Sequence, residues 1–394
     1  MLRQRGHRVF NAFERAPDAP LPRFEEFGLA EPGLLLGHEK AAYELRDTAA
    51  LAEKFRRHLG AIDAILETLQ KEGRPLAVVQ ELGGFTSVLA AYYAARRRDI
   101  ANYFIEPSFF KGRFFLTLNS FRSPLVPTIA SEASQTVRAA LDTIRASQTV
   151  VIPVKDRSHY RGAFRKITDP RNLRRLGEKL YEKHVLKRQE EFEHIGGHVS
   201  RHLRMLGNSM RLRKYYTEIP EDTPFLYYPL HVPADFALTI RSPEYLDQPS
   251  LIDYLCRIAP LDHKVVIKEH PALVGSLSAA RVHALMARHD NLVLLRPTIN
   301  NHRVLQRAEI VVTVNSKAGA EALLYGKRVV ALGDSFYRAS ELVTAINSLR
   351  DLRGALSSDG APDGRAVESY FENVWQASLP GELYDLTPDN VTTF

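Results

Sequence analysis

KVVIKEHPALVG at Lys264–Gly275 and NLVLLRPTINNHRVLQRAEIVVTVNSKAGAEALLYGKRVVALGDSFY at Asn291–Tyr337 decide the fold of this chain. Four short apolar runs rich in β-branched residues stand in these stretches: Val265–Ile267, Leu292–Leu295, Ile310–Val314 and Val329–Leu332. Helical patterns separate the runs. That alternation predicts a parallel sheet covered on both faces. Polar residues gather just past the strand ends: Lys268, His270 and Pro271 after the first, Asn315 and Ser316 after the third, Gly333 and Asp334 after the fourth. In open α/β sheets ligands bind beyond the carboxyl ends of the strands, so these are the first candidate site residues.

The third junction carries the most chemistry. Val311–Val314 leads into Asn315 and Ser316, and the pattern predicts a helix from Lys317 to Tyr325. The first N–H groups of a helix are unpaired and its dipole favours an anion there. Ser316 suits an N-cap, and its hydroxyl could equally face a phosphate. Gly319 lets another backbone or a ligand come close. Glu321, one turn on, is either a solvated carboxylate or an acceptor for ribose hydroxyls.

Working outward, 394 residues predict two domains of ordinary size. With 45% hydrophobic and 25% charged residues, the composition is that of a globular protein. The single cysteine, Cys256, excludes an internal disulfide framework and fits a reducing compartment. His194, His198 and His202 recur at helical spacing, but no thiolate lies close and Glu191 and Glu193 read as surface charges, so no metal is expected. No run is apolar enough to span a membrane, and the basic start MLRQRGHRVF lacks the apolar centre of a secretory signal. Lys155–Lys214 holds 17 lysines and arginines against 7 acidic residues within a net charge of +7, so the rest is slightly acidic. Such a stretch serves an anionic substrate, anionic lipid or nucleic acid. It lacks interleaved aromatics and any known motif, so nucleic acid is not expected.

The chain before the central stretch repeats the α/β alternation. Leu2–Gly6 with Arg8–Phe10 reads as the end of a helix entering a strand, one strand later than such domains usually begin. Ala49–Gly73 and Thr86–Arg98 read as helices, Pro75–Gln80 and Asn102–Ile105 as strands, the last ending at Glu106. Gly83 and Gly84 lack the full dinucleotide-loop spacing and read as close helix–strand packing. Arg113–Phe121 reads as a hairpin arm or lid, and Pro124–Ile152 as a helix and a short strand. Asp156–Tyr216 is mostly helix with no clean apolar stripe across Leu180, His184, Lys187, Glu191 and His194. It reads as a solvated helix pair or as an anionic-membrane or acceptor surface, with Arg201–Lys214 its most amphipathic piece. Phe225–Tyr228 opens the second domain. Ser250–Ile258 and Ala339–Leu352 read as helices, Gly364–Ser378 as a crossover back to the first domain, and the tail from Pro380 as irregular. The expected divisions are 1–154, a basic helical segment 155–220, 221–362, and a crossover helix and tail 363–394. Two Rossmann-like α/β domains facing across a cleft fit a GT-B-type architecture, which other two-Rossmann enzymes share.

K-E-H-P at Lys268–Pro271, N-S-x-x-G-x-E-A-L at Asn315–Leu323 and G-K-x-V-x-x-L-G-x-x-x-Y at Gly326–Tyr337 resemble the capsule polysaccharide biosynthesis family. The resemblance covers about Tyr227–Leu342 and extends to Phe104–Pro107. The family's best understood members are bacterial β-Kdo transferases that use CMP-β-Kdo and retain the donor's β configuration. The resemblance implies a glycosyltransferase with an acceptor-side first domain and a nucleotide-sugar-binding second domain. It implies that His270 donates to the CMP phosphate, with Pro271 fixing the loop. Asn315, Ser316 and the helix start with Gly319 would hold the same phosphate, Glu321 the ribose, and Lys268 would balance donor charge. Asp235, and Glu106 at the other strand end, are the implied catalytic carboxylates, as base or as nucleophile. The family's Gln is His231 here, and Lys317 stands where a small polar residue is usual, adding a cation beside the phosphate.

Residue chemistry agrees: transfer needs positive partial charge on the leaving group and an acceptor for a proton. CMP leaves as a monophosphate and no DxD-like pair stands near, so no cofactor beyond the CMP-sugar substrate is expected. The acceptor would be a lipid-linked or polysaccharide glycan, and the location cytoplasmic, with peripheral contact to an anionic inner membrane. The alternatives are a CMP-sialic acid or UDP-sugar donor on the same fold, and a non-catalytic subunit of a surface-glycan complex.

Overall fold

The computed structural model describes Arg8, Phe10 and residues 20–148, 170–187, 195–358, 360–383, 385, 387 and 390. The expectations for Leu2–Gly6, for the strand ending at Ile152, for Glu191, Glu193 and His194, and for part of the tail fall outside these residues. The chain forms two compact units. One holds Met1–Glu106 with Leu116–Phe121, the other Pro107–Phe115 with Arg122–Phe394.

In the first unit, Asp47 caps the helix Thr48–Gln70 by accepting from Ala50 N at 2.9 Å. Leu51, Phe55, Leu59 and Leu66 recur on one face of that helix and are buried with Leu89, Ala90, Ala94 and Ala95 of the helix Thr86–Arg97. The second helix connects two parallel strands, β1 (Ala77–Glu81) and β2 (Ala101–Pro107), paired from Ala77↔Ala101 to Glu81↔Ile105. This is the βαβ unit the pattern predicts. Arg113–Leu118 is a strand, β3.

The second unit is built on seven parallel strands: β4 (Tyr216–Thr217), β5 (Phe225–Pro229), β6 (Lys264–Lys268), β7 (Leu292–Leu295), β8 (Ile310–Thr313), β9 (Arg328–Ala331) and β10 (Thr344–Ala345). Their order across the sheet is β10-β9-β8-β5-β6-β7-β4. Successive side chains along each strand point to opposite faces. Leu226, Tyr228, Val265, Ile267 and Val312 enter one core with the helices Gln248–Ile258, Ala279–Arg288 and Leu349–Ser357. Phe225, Tyr227, Val266, Val311 and Val329 enter another with Gln135–Ser147, Lys317–Leu323 and Gly364–Gln376. Both faces are covered, which is why the strands read as unbroken apolar runs.

Two stretches differ from expectation. Ala339–Leu352 is not one helix but a turn, the edge strand β10 and the start of the helix Leu349–Ser357. The Arg338 guanidinium knits that turn, donating to the carbonyls of Ala331 at 3.0 Å and Gly333 at 3.2 Å and to Ile346. The helix Gly364–Gln376 lies in the second unit, where Glu372 accepts from Ser134 N at 2.9 Å and Ser134 Oγ at 2.8 Å. The short strand β11 (Leu379–Pro380) runs antiparallel to the start of β3, with Leu379 opposite Phe114.

Candidate functional site

The chain runs β5-β6-β7 outward to one side, then returns to place β8 on the other side of β5 and continues to β9 and β10. Strand order therefore reverses at β5, and the carboxyl edge beside it is where a doubly wound sheet opens a crevice. Pro229–Asp235, Lys268–Pro271, Asn315–Ser316 and Gly333–Asp334 all emerge at that edge. The loop after β5 is tied to β6, Leu230 N donating to Lys268 O at 3.3 Å.

Lys268 is 4% exposed, and no ion pair within 4 Å holds its ammonium among the described residues. Burial pushes it down to about 8, and the Glu321 carboxylate only partly opposes this. His270 is half-buried. Burial and then Lys268 lower its affinity for a proton, while Asp235 raises it. His231 is buried and held down to about 4 by burial, with Asp235 pulling up and His270 pushing down. Its backbone is clamped by one side chain: Gln248 Oε1 accepts from His231 N at 2.8 Å, and Gln248 Nε2 donates to His231 O at 3.0 Å. Among the described residues, buried His231 Nε2 has no hydrogen-bond partner. Asp235 is exposed and caps the short helix Phe236–Thr239, Oδ1 accepting from Ala237 N at 3.1 Å.

At the β8 junction Asn315 Nδ2 donates to Ala237 O at 2.6 Å, fastening the Asp235 helix to the sheet, while Asn315 Oδ1 is buried with no partner among the described residues. Ser316 Oγ caps the next helix, accepting from Ala318 N at 3.2 Å, and retains a hydroxyl proton to donate. The close neighbour at Gly319 is the Tyr337 phenol: a Cβ there would lie 2.5 Å from Tyr337 Oη, which itself donates to Ser316 O at 2.6 Å. Glu321 is buried and accepts from Asn301 Nδ2 at 3.1 Å, Asn301 in turn accepting from Tyr227 Oη at 2.8 Å. Lys317 Nζ donates to Ser108 O at 2.6 Å, so the cation expected beside a phosphate has a backbone partner.

The second unit thus brings Asp235, His270, Lys268 and Glu321 into one electrostatic neighbourhood, with Pro271 exposed beside them. Glu106 ends β2 in the first unit. Several supporting residues carry no sequence signal of their own. Glu269, fully buried inside K-E-H-P, accepts from Tyr216 Oη at 2.7 Å, Gly275 N at 3.0 Å and Leu277 N at 3.3 Å, pinning the loop that follows His270. Gln248, Asn301 and Tyr337 act through folding partners 17 to 21 residues away. Among the described residues no group of three His, Cys, Asp or Glu could hold a metal ion.

A buried cation, a half-buried histidine and a capped helix start thus stand at the reversal point of a doubly wound, Rossmann-like α/β sheet. The model for the capsule polysaccharide biosynthesis protein family matches residues 166–377, more than half of the chain, and the chain belongs to that family. Protein FixF of Sinorhizobium fredii is 31% identical over 170 residues, which cover 42% of this chain and 41% of that one. The match therefore spans about two fifths of that relative's length. Among solved structures, the KpsC beta Kdo 2,7 transferase of Thermosulfurimonas dismutans is similar at 15% identity, over 81% of this chain and 83% of that one, with a TM-score of 0.40. The KpsC beta Kdo 2,4 transferase of the same organism is similar at 13% identity, over 79% and 85%, with a TM-score of 0.37.

Proposed function

We propose that this chain is a glycosyltransferase of surface-polysaccharide synthesis whose second unit binds a CMP-activated sugar, Kdo by the motif resemblance. It passes that sugar to a lipid-linked or polysaccharide acceptor. Family membership supports the reaction class, and the K-E-H-P and N-S-x-x-G-x-E-A-L motifs support the donor. The observation that carries the reading is Lys268: a buried cation that, among the described residues, has no paired carboxylate, next to His270 and the Ser316 helix start. An unpaired buried charge is costly unless a ligand completes it.

In this reading the phosphate lies between Lys268, His270 and the Ser316 hydroxyl. Lys268 and a hydrogen bond from His270 stabilise charge that grows on the leaving phosphate. Glu321, oriented by Asn301, accepts from the ribose hydroxyls. Asp235, which the motif resemblance sets near the acceptor and the anomeric carbon, would take the acceptor's proton or act as the nucleophile. Glu106 is the second candidate for that role. No cofactor beyond the donor is invoked.

Calorimetric titration of CMP, CDP and UDP into the wild type and His270→Ala tests it. CMP is expected to bind best, and His270→Ala to weaken it by about 1.5–3 kcal/mol, the range for a hydrogen bond to a charged group. Preference for UDP would move the donor to another sugar class, and absence of nucleotide binding would sink the mechanism.

A further inference from the structure

The helices Pro170–His184 and Ile195–Leu212 carry charge and apolar surface that the nucleotide site does not use. Residues 170–187 and 195–214 contain 11 lysines and arginines against 2 acidic residues. On the first helix Leu173, Leu176 and Leu180 follow at spacings of three and four and share one face, with Tyr181 at its border. Leu173 is 54% exposed and Tyr181 56%. At about 3.6 residues per turn, Arg174 falls on one flank of this stripe and Lys183 on the other, while Glu178 and Glu182 fall on the far side. The expectation of no apolar stripe came from a register begun at Leu180; begun at Leu173 the stripe is plain.

The second helix repeats the arrangement. Its inner face buries Met205 and Leu212, and Asn208 donates to Gly275 O at 3.1 Å and accepts from Ala279 N at 3.3 Å. The opposite face turns out Val199, Leu203 and Met210, with Leu203 60% exposed. The loop pinned by Glu269 thus holds one face of this helix and leaves the other to solvent. Among the described residues no helix is long and apolar enough to cross a membrane.

Apolar stripes with cations on their flanks restrict what can cover them. Nucleic acid would engage the cations alone and leave the leucines wet. A second copy would bring charge of the same sign. An anionic bilayer accepts both, apolar side chains at the headgroup boundary and cations on lipid phosphates. We propose that the helix Pro170–His184, backed by Ile195–Leu212, docks the protein on an anionic phospholipid surface through Leu173, Leu180 and Tyr181, with Arg174 and Lys183 on the phosphates. The exposed Arg174–Glu178 pair, 2.8 Å, is of the kind that yields at little cost. The inference is independent of the donor assignment.

Co-sedimentation of the full chain with vesicles tests it. Binding is expected to vesicles containing phosphatidylglycerol, not to phosphatidylcholine alone, and to fall as salt rises. The double variant Leu173→Glu/Leu180→Glu is expected to lower partitioning at least about tenfold, and Arg174→Glu/Lys183→Glu to lower it as well. Unchanged unfolding midpoints would show that neither variant acts by misfolding. Binding that ignores the leucine variant, no dependence on anionic lipid, or a dimer in light scattering that the leucine variant splits would each overturn the proposal. So would nucleic-acid binding tighter than lipid binding.

Discussion

Each unit contains a strand–turn–helix junction of the kind that holds phosphates, and the two are finished differently. In the first unit the helix starting at Thr86 receives the chain's own carboxylate: Glu39 Oε1 accepts from Thr86 N at 2.8 Å and Thr86 Oγ1 at 2.7 Å, while Lys54 pairs with Glu39 at 2.8 Å. The His38 ring fills the space beside Gly84, where a Cβ would come within 2.4 Å of it. Burial pushes the Glu39 carboxyl up, but Lys54 and the Thr86 donors outweigh it and hold it below its usual range. In the second unit the helix start is capped by its own Ser316, and among the described residues the nearby cation, Lys268, has no carboxylate in contact. A junction whose charges are already paired is architecture; the one whose cation is unpaired is where the proposed nucleotide is expected.

The contrast breaks first at Glu39. Glu39→Ala should cost about 3–5 kcal/mol of stability in urea unfolding, because it strands Lys54 and the Thr86 donors, and should leave CMP affinity untouched. Next is Lys268→Met, expected to weaken CMP by about 1.5–3 kcal/mol while leaving stability equal or higher. A stability loss like that of Glu39→Ala would erase the distinction. In the wild type, CMP affinity should fall as pH rises through about 8, where Lys268 gives up its proton, and the Met variant should lack that fall. Acid provides a smaller test. His58 is held down from 6.5 to about 4 by burial and then by Lys54, against the pull of Glu39. The unfolded chain therefore binds the extra proton, and stability present above pH 6.5 should decline toward pH 4, by about 1.4 kcal/mol per pH unit for each such histidine. His58→Gln should flatten the slope by that amount. The smallest effect is Ser316→Ala, about 1 kcal/mol in stability from the lost cap, with weaker CMP binding only if the hydroxyl also meets the phosphate.

The sheet was legible because its strands are buried on both faces. Leu292–Leu295 coincides with β7, and the runs at Val265, Ile310 and Val329 lie within one residue of β6, β8 and β9. Lys268, His270, Asn315 and Ser316 were legible because position at a strand end is a sequence property. Their supports were not. Nothing local marks Gln248 as the clamp on His231, Asn301 as the partner of Glu321, or Glu39 as the cap of a helix 47 residues away. Ala339–Leu352 misled because its apolar spacing suits a helix while its turn is held by Arg338, a contact no periodicity records. Lys317 looked like a free cation because Ser108, its partner, lies 209 positions earlier.

The path of the chain sets an order on biosynthesis. It changes unit at Glu106, Phe115 and Phe121, and the second unit is completed by the helix Gly364–Gln376, whose Ser369 donates to Ile129 O at 3.3 Å and Asn373 to the same carbonyl at 2.9 Å. A growing chain can assemble the β1–β2 unit once Phe121 has left the ribosome. The segment around Ile129–Ser134 must then wait through the synthesis of more than two hundred further residues for Ser369, Glu372 and Asn373. During that interval the apolar side chains of Gln135–Ser147 lack one wall of their core, which leaves this stretch exposed to misassembly until the last helix is made.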